Sequence, residues 1–335
     1  MEIETVKLGH TDIKISKITF GAWVIGGWNW GGSEEAEAIR TVRAAYESGM
    51  STLDTAPIYG FGKSEEIIGK ALKDVPRDQY QLLTKFGLRW WGDEGSLHAH
   101  TTDLGGRSVS VYRYASKESV IDECEKSLQR LQTDYLDLFQ IHWPDPTTPI
   151  EETMEALQIL IDQGKIRAAG VCNYETEDID EALRHIRLAS NQVPYSMIRR
   201  RVEKKIIPQA IQEGLSVLPY SPLQRGLLTG KIKSDTVFRT GDNRAESAYF
   251  SLENIKKVHQ LLSIIKPIAE DHNVSLAQLV LNWTSRQEGI TSVLAGARSP
   301  SQARNNAISL SFHLSDDEMK LIAQAIDQYD GVQDE

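Results

Sequence analysis

The stretch Leu131-Gln-Thr-Asp-Tyr-Leu-Asp-Leu-Phe-Gln-Ile-His142-Trp-Pro-Asp145 decides how the chain is read. Its β-rich core, Leu136–His142, ends at a Trp-Pro turn, and the segment before it carries Val120, Cys124, Ser127 and Leu128 at helical spacing after Ser116. Outward in both directions the same punctuation recurs. Short β-rich runs ending in turn or polar residues occupy Ile18–Gly21, Ser51–Asp54, Gln81–Lys85, Ala168–Cys172, Leu188–Gln192, Leu215–Tyr220 and Thr291–Gly296, which with Leu136–His142 makes eight. Of these, Leu188–Gln192 has the weakest β composition. Amphipathic stretches lie between most of them, such as Ile39, Val42 and Tyr46 after Ser33. Most strand starts stand about 20 to 35 residues apart, the size of one β-α-β unit, which implies a parallel sheet. Eight such units favour a closed barrel, so the expected fold is α/β, a (β/α)8 TIM barrel.

Two intervals exceed one unit. Residues 86–115, rich in Gly, Trp and Thr, follow the third strand, and residues 225–250 follow the seventh and lead into a helical stretch, Leu252–Ala269. Both start at C-terminal strand ends, where barrel enzymes build their sites, so they are read as a substrate loop and a cofactor loop. A hairpin, Val6–Lys17 with its Gly9-His-Thr-Asp12 turn, caps the start of the chain (residues 1–16), and residues 313–330 read as a closing helix. No low-complexity linker divides the sequence, so residues 1–335 are read as one domain.

The formal charge of −10 and the lack of a basic face argue against nucleic-acid binding. Two cysteines, Cys124 and Cys172, and a start without signal-peptide character fit a reducing cytoplasm. No apolar run approaches the roughly 20 residues that cross a bilayer. Oligomeric state is left open, a monomer included.

The densest polar cluster is Asp54-Thr-Ala-Pro-Ile-Tyr-Gly60, directly after the second strand. Pro57 and Gly60 bend the chain there, which brings Asp54 and Tyr59 to one mouth. Lys85 ends the third strand and His142 the fourth, so a barrel would converge all four side chains. Carbonyl reduction needs a hydride on one side of the carbon and a proton beside the oxygen. Tyr59 would supply the proton, Lys85 would lower the phenol from its ordinary value near 10, Asp54 would hold Lys85 charged, and His142 would orient the carbonyl. That chemistry needs no metal. Singly, each residue has a plainer reading: Asp54 a turn cap, Tyr59 a rim aromatic, Lys85 a solvated charge, His142 a structural ring. Together, at successive strand ends, they read as a site.

With these residues in view the sequence resembles the aldo-keto reductase family over nearly its whole length, closest to the bacterial branch that is similar to potassium-channel β subunits. Asp54–Gly60, Leu131–Asp145 and Gly164-Lys-Ile-Arg-Ala-Ala-Gly-Val171 look like its signatures. The resemblance implies NADPH/NADP+ as cofactor and a small carbonyl compound as substrate. It makes Tyr59 the general acid, with Lys85, Asp54 and His142 in the roles above. It further implies that Asn173 and Gln192 hold the nicotinamide carboxamide, that Tyr220 stacks on the ring, and that Gly21 and Trp23 approach the cofactor. Ser221, Leu223, Gln224, Lys231 and Arg244 would wrap the pyrophosphate. Gly296 and Arg298 precede a helix whose N-terminus favours a phosphate; Arg298 would pair with a 2′-phosphate, and Gln302 and Asn306 would reach the adenine end. Cys172 stands where the family usually has Ser, which weakens one hydrogen bond. Trp23, Trp28, Trp30, Trp90, Trp91 and Trp143 are the expected walls of an aromatic substrate pocket.

Two other functions fit the same residues. Lys85 would serve a Schiff-base aldolase or lyase as nucleophile. A cofactor-loaded sensing subunit would bind the nucleotide without significant turnover.

Overall fold

The computed structural model describes residues 4–32 and 34–333; Ser33, from which the first helix was read, and residues 1–3 of the cap lie outside them. Strands β1 (Thr5–Lys7) and β2 (Lys14–Ser16) form the expected hairpin. Leu8, Ile13 and Ile15 press on Leu83, Leu138, Leu218 and Leu294, so the hairpin plugs the N-terminal end of the barrel.

All eight expected barrel strands are present. They are β3 (Ile18–Gly21), β4 (Thr52–Asp54) and β5 (Gln81–Phe86), and, after an antiparallel trio made of β6 (Leu88–Arg89), β7 (Ser96–Thr102) and β8 (Ser108–Arg113), β9 (Leu138–Ile141), β10 (Ala169–Cys172), β11 (Ser190–Pro194), β12 (Ser216–Tyr220) and β13 (Val293–Gly296). The parallel order runs β12-β11-β10-β9-β5-β4-β3-β13. The ring is nearly closed: β12 and β13 meet through a bridge between Val217 and Ile290, with Thr291 N donating to Val217 O at 3.0 Å.

Helices α1 (Glu35–Glu47), α2 (Lys63–Leu72), α3 (Lys117–Leu131), α4 (Ile150–Asp162), α5 (Thr176–Leu183) and α6 (Ile206–Glu213) alternate with the strands. Helix α7 (Leu252–Asp271) and α8 (Leu276–Ser285) precede β13, α9 (Pro300–Ala307) follows it, and α10 (Asp316–Asp327) closes the chain against α7. The main core lies between strands and helices, where Val42, Ile67, Leu128, Leu157, Ile179 and Leu279 are buried. Each such side chain contributes about 1.5–3 kcal/mol on burial, so Leu157→Ala is expected to cost about 2–5 kcal/mol.

Two expectations change. Residues 86–115 are not an irregular loop: β6, β7 and β8 make a three-stranded antiparallel arch. Its strands alternate small, polar and β-branched residues and bury little, so they lack the apolar run that marks a barrel strand. The sixth barrel strand is Ser190–Pro194, two residues beyond the expected Leu188–Gln192; of its polar side chains Ser190 and Gln192 share one face, donating to Gln140 and Asp54, and Asn191 turns the other way to Tyr174 O.

Candidate active site

Leu83 faces the barrel interior, and Lys85, two residues on, shares that face. Asp54 is the register partner of Leu83 and ends β4 beside it. Lys85 Nζ therefore reaches Asp54 Oδ1 at 2.6 Å and also donates to Thr55 O at 2.8 Å. Gln192 Nε2, at the mouth end of β11, donates to the other oxygen, Asp54 Oδ2, at 2.8 Å. The Lys85 side chain is 0% exposed.

The Tyr59 turn is fixed by two glycine backbones in contact. Gly60 has φ +73°, and a Cβ there would lie 2.2 Å from Gly26 O; a Cβ on Gly26 would lie 2.4 Å from Tyr59 O. No other residue type fits either position without moving the turn. The Tyr59 ring consequently stands with its centroid 5.1 Å from Lys85 Nζ and 5.7 Å from the His142 ring, edge to face at 81°. The four expected side chains converge.

Their protonation follows from burial. Burial pushes the Asp54 carboxyl up, against the pull of Lys85. For Lys85 burial is the largest single influence and works downward, but the Asp54 carboxylate and its hydrogen bond, joined by Tyr59 and Cys172, together outweigh it and the ammonium is held charged. Burial and the nearby Lys85 charge hold His142 well below the usual imidazole value of 6.5, so it is neutral. The Tyr59 phenol does not follow expectation: burial pushes it up to about 12, and the opposing Lys85 charge recovers only part of that shift. Proximity to the ammonium was legible in the sequence, whereas the larger desolvation was not. Cys172 is buried and its thiol is raised by burial, which makes it an inert small side chain.

Asn173, in the left-handed region at φ 59°, donates from Nδ2 to His142 O at 2.9 Å and accepts the Tyr220 hydroxyl on Oδ1 at 2.9 Å. Its amide thus ties the His142 backbone to the Tyr220 ring. Gly21 and Gly296 are register partners at the β3 and β13 ends, and Asn306 Nδ2 donates to Gly296 O at 3.0 Å. Gln302 Oε1 accepts Arg298 N at 2.8 Å. In the segment after β12, Ser221 and Gln224 both have positive φ, Gln224 is buried against Ser196, and Leu223 packs on the core. Lys231 is exposed.

Asp242 organises the basic end of the mouth. Arg244 donates to it from Nε at 2.9 Å and from a terminal nitrogen at 2.6 Å, while Arg298 approaches at 3.9 Å. Both guanidinium groups lie over the Trp30 ring, at 4.9 and 4.8 Å. Arg298 also feels the charges of Arg244 and Arg239, so it stands among two further guanidinium groups with one carboxylate to answer them. Such a cluster favours an added anion. The buried Nε1 atoms of Trp23 and Trp30 have no hydrogen-bond partner among the described residues. Unpaired indole donors beside surplus positive charge fit a bound dinucleotide with its phosphates.

The tryptophans separate into groups. Trp28, Trp90 and Trp143 gather with Tyr59 and Phe61 over Ala56, Ile58, Leu88 and Val111, and Trp28 Nε1 donates to Thr101 of the arch at 3.0 Å. Trp23 stacks loosely on Tyr59, with centroids 6.1 Å apart. Trp30 is not part of that cleft, since it carries the two arginines, and Trp91 turns toward Arg89 and Lys126 on the flank. Sequence reasoning passed over Asp242, although it stands two residues before Arg244, and over Thr55, whose contribution is a backbone oxygen with no side-chain signal.

Barrel, mouth and buried polar cluster together make a candidate active site at the C-terminal strand ends. Residues 17–327 match the Aldo/keto reductase family, and the chain belongs to it. It is 38% identical over 335 residues to the NADH-specific methylglyoxal reductase of Escherichia coli, covering 97% of this chain and 100% of that one. The structure of the glycerol dehydrogenase AKR11B4 from Gluconobacter oxydans superposes with a TM-score of 0.87 at 35% identity, over 99% of this chain and 97% of that one. An aldo/keto reductase from Klebsiella pneumoniae in complex with NADP and acetate superposes with a TM-score of 0.71 at 29% identity, over 99% and 98% of the two chains.

Proposed function

We propose that the chain is a NADPH-dependent reductase of aldehydes and ketones in which Tyr59 donates the proton. The observation that carries this reading is a buried phenol seated between an ammonium held charged by Asp54 and a neutral imidazole. The dinucleotide, when bound, supplies hydride. The chain's own residues do the rest. Negative charge that builds on the carbonyl oxygen is met by the Tyr59 hydroxyl and the His142 ring, and the Tyr59 proton moves to that oxygen. The phenolate left behind is stabilised by Lys85, whose charge persists because Asp54 stays beside it. The arch and the Trp28–Trp90–Trp143 wall exclude water from the reacting carbon.

Asn173, Gln192 and Tyr220 would hold the nicotinamide end, and Arg244 and Arg298 the phosphate end. The positive cluster around Asp242 supports NADPH, and the Klebsiella pneumoniae relative was solved with NADP; the Escherichia coli relative is named as NADH-specific, so both nucleotides belong in the test. We assign the protein to the cytosol as a single domain acting on small molecules, in keeping with its two unpaired, buried cysteines. A Schiff base on Lys85 is disfavoured, because that amine is charged, sealed from solvent and donates to Asp54 and Thr55.

The test follows nicotinamide absorbance with a panel of small aldehydes. Turnover with NADPH is expected, and Tyr59→Phe is expected to lower kcat about 10²–10⁴-fold while nucleotide binding, read by fluorescence titration, persists. Normal turnover in Tyr59→Phe overturns the mechanism. Nucleotide binding without turnover of any carbonyl favours the sensing subunit.

A further inference from the structure

The arch over the mouth carries polar groups that the proposed reaction does not use. Arg113 ends β8, and its register partners are Ser96 on β7 and Leu88 on β6, so these side chains share one face of the arch. Val111, two residues before Arg113, lies on that same face and is buried against the cluster that holds Tyr59, Trp28 and Trp143. The face therefore looks into the mouth. On it the Arg113 Nε and the Ser96 Oγ are both buried without a hydrogen-bond partner, and among the described residues Arg113 enters no ion pair.

A third group joins them through an irregularity. The β7–β8 register shifts between Leu97 and Ala99, and His98 is the extra residue; bulges of this kind re-aim a side chain. The His98 ring lies 5.4 Å from Trp143, the neighbour of His142. His98 feels the charge of Arg113, and His142 in turn feels His98, so the guanidinium lies one side chain beyond the ring that faces the carbonyl.

We propose that Arg113, with Ser96 and His98, forms an anion subsite on the inner face of the arch that takes the carboxylate of an oxo-acid substrate while its carbonyl sits at Tyr59. A guanidinium fork matches a planar carboxylate, and the buried Nε edge of a partly exposed guanidinium is costly to leave unpaired unless a ligand answers it. One arginine beside a hydroxyl suits a monoanion better than a phosphate dianion. The inference deepens the reductase reading and rests on it.

The experiment compares para-carboxybenzaldehyde with benzaldehyde, as a ratio of kcat/KM values, in the wild type, Arg113→Gln and Arg113→Lys. The wild type is expected to prefer the carboxylated aldehyde, Arg113→Gln to lower that ratio about tenfold or more through KM, and Arg113→Lys to restore part of it. A ratio unchanged by Arg113→Gln overturns the subsite and leaves the reductase reading standing. Calorimetric titration with terephthalate, which has no carbonyl to reduce, separates the two ideas if neither aldehyde turns over. Binding to the wild type that weakens in Arg113→Gln supports the subsite, and equal or absent binding in both overturns it. Circular dichroism of the variants checks that the arch change leaves the barrel folded.

Discussion

Lys85 Nζ lies 2.6 Å from Asp54 Oδ1 in a barrel mouth where both side chains are shut away from solvent. Two opposite charges buried together tolerate each other, whereas either one left alone is an uncompensated charge in a low-dielectric interior. The same contact that holds the ammonium beside Tyr59 therefore also governs whether the mouth folds.

Removing one member is expected to cost stability and activity together. Asp54→Leu or Lys85→Met should each lower unfolding free energy by about 3–5 kcal/mol, and the double variant by clearly less than the sum. Urea denaturation of the four proteins gives the coupling. Additive penalties would contradict a paired charge, and measurable turnover in Lys85→Met would remove Lys85 from the mechanism.

The pH profile of reduction should be flat across the neutral range. An acid that donates is loaded below its pKa, and burial puts Tyr59 up at about 12. His142, kept well below 6.5 by burial and by Lys85, adds no limb near that value. In the direction of alcohol oxidation the phenolate is the useful form, so kcat/KM should climb as pH rises through the same range. A reduction rate that already halves between about pH 7 and pH 8 is incompatible with a loaded phenol.

The barrel was legible in the sequence because parallel strands covered on both faces are short, mostly apolar runs, as Val293-Leu-Ala295 shows. Asp54, Lys85 and His142 were legible for the same reason: each stands where such a run stops. What escaped depends on partners distant in the chain. The arch pairs Ser96 with Arg113 across a turn, and nothing local in Ser96–Thr102 marks it as a strand. The aim of Arg113 follows from sheet register, that of His98 from a bulge, and the acidity of Tyr59 from burial. None of these is written in spacing.

Arg298 offers a test of nucleotide preference. It is tethered to Asp242 at 3.9 Å, longer than a hydrogen bond, which leaves its donors available. Arg298→Gln should raise KM for NADPH about tenfold, the worth of a charge-assisted contact, and change KM for NADH little. Steady-state kinetics with both nucleotides reads this directly; equal effects on the two would make Arg298 a structural support for the loop around Asp242.

Glu123 of α3 supplies a pH dependence of stability. Its buried carboxyl accepts Gly87 N at the root of the arch, at 3.2 and 3.1 Å, and burial raises its pKa from 4.5 to about 8. Below 4.5 the folded and unfolded chains both keep this proton, and above about 8 both have lost it. Between those values the folded chain holds a proton that the unfolded chain has released, so the unfolded state binds fewer protons and stability falls as pH rises. Glu123→Gln has no proton to lose and keeps an oxygen for Gly87. Its Tm should therefore drop less than that of the wild type between about pH 5 and pH 8, with the gap between the two proteins shifting steadily in favour of the variant. Thermal scans at each pH decide the matter, and parallel Tm curves would mean that Glu123 ionises in the folded protein at its ordinary pKa.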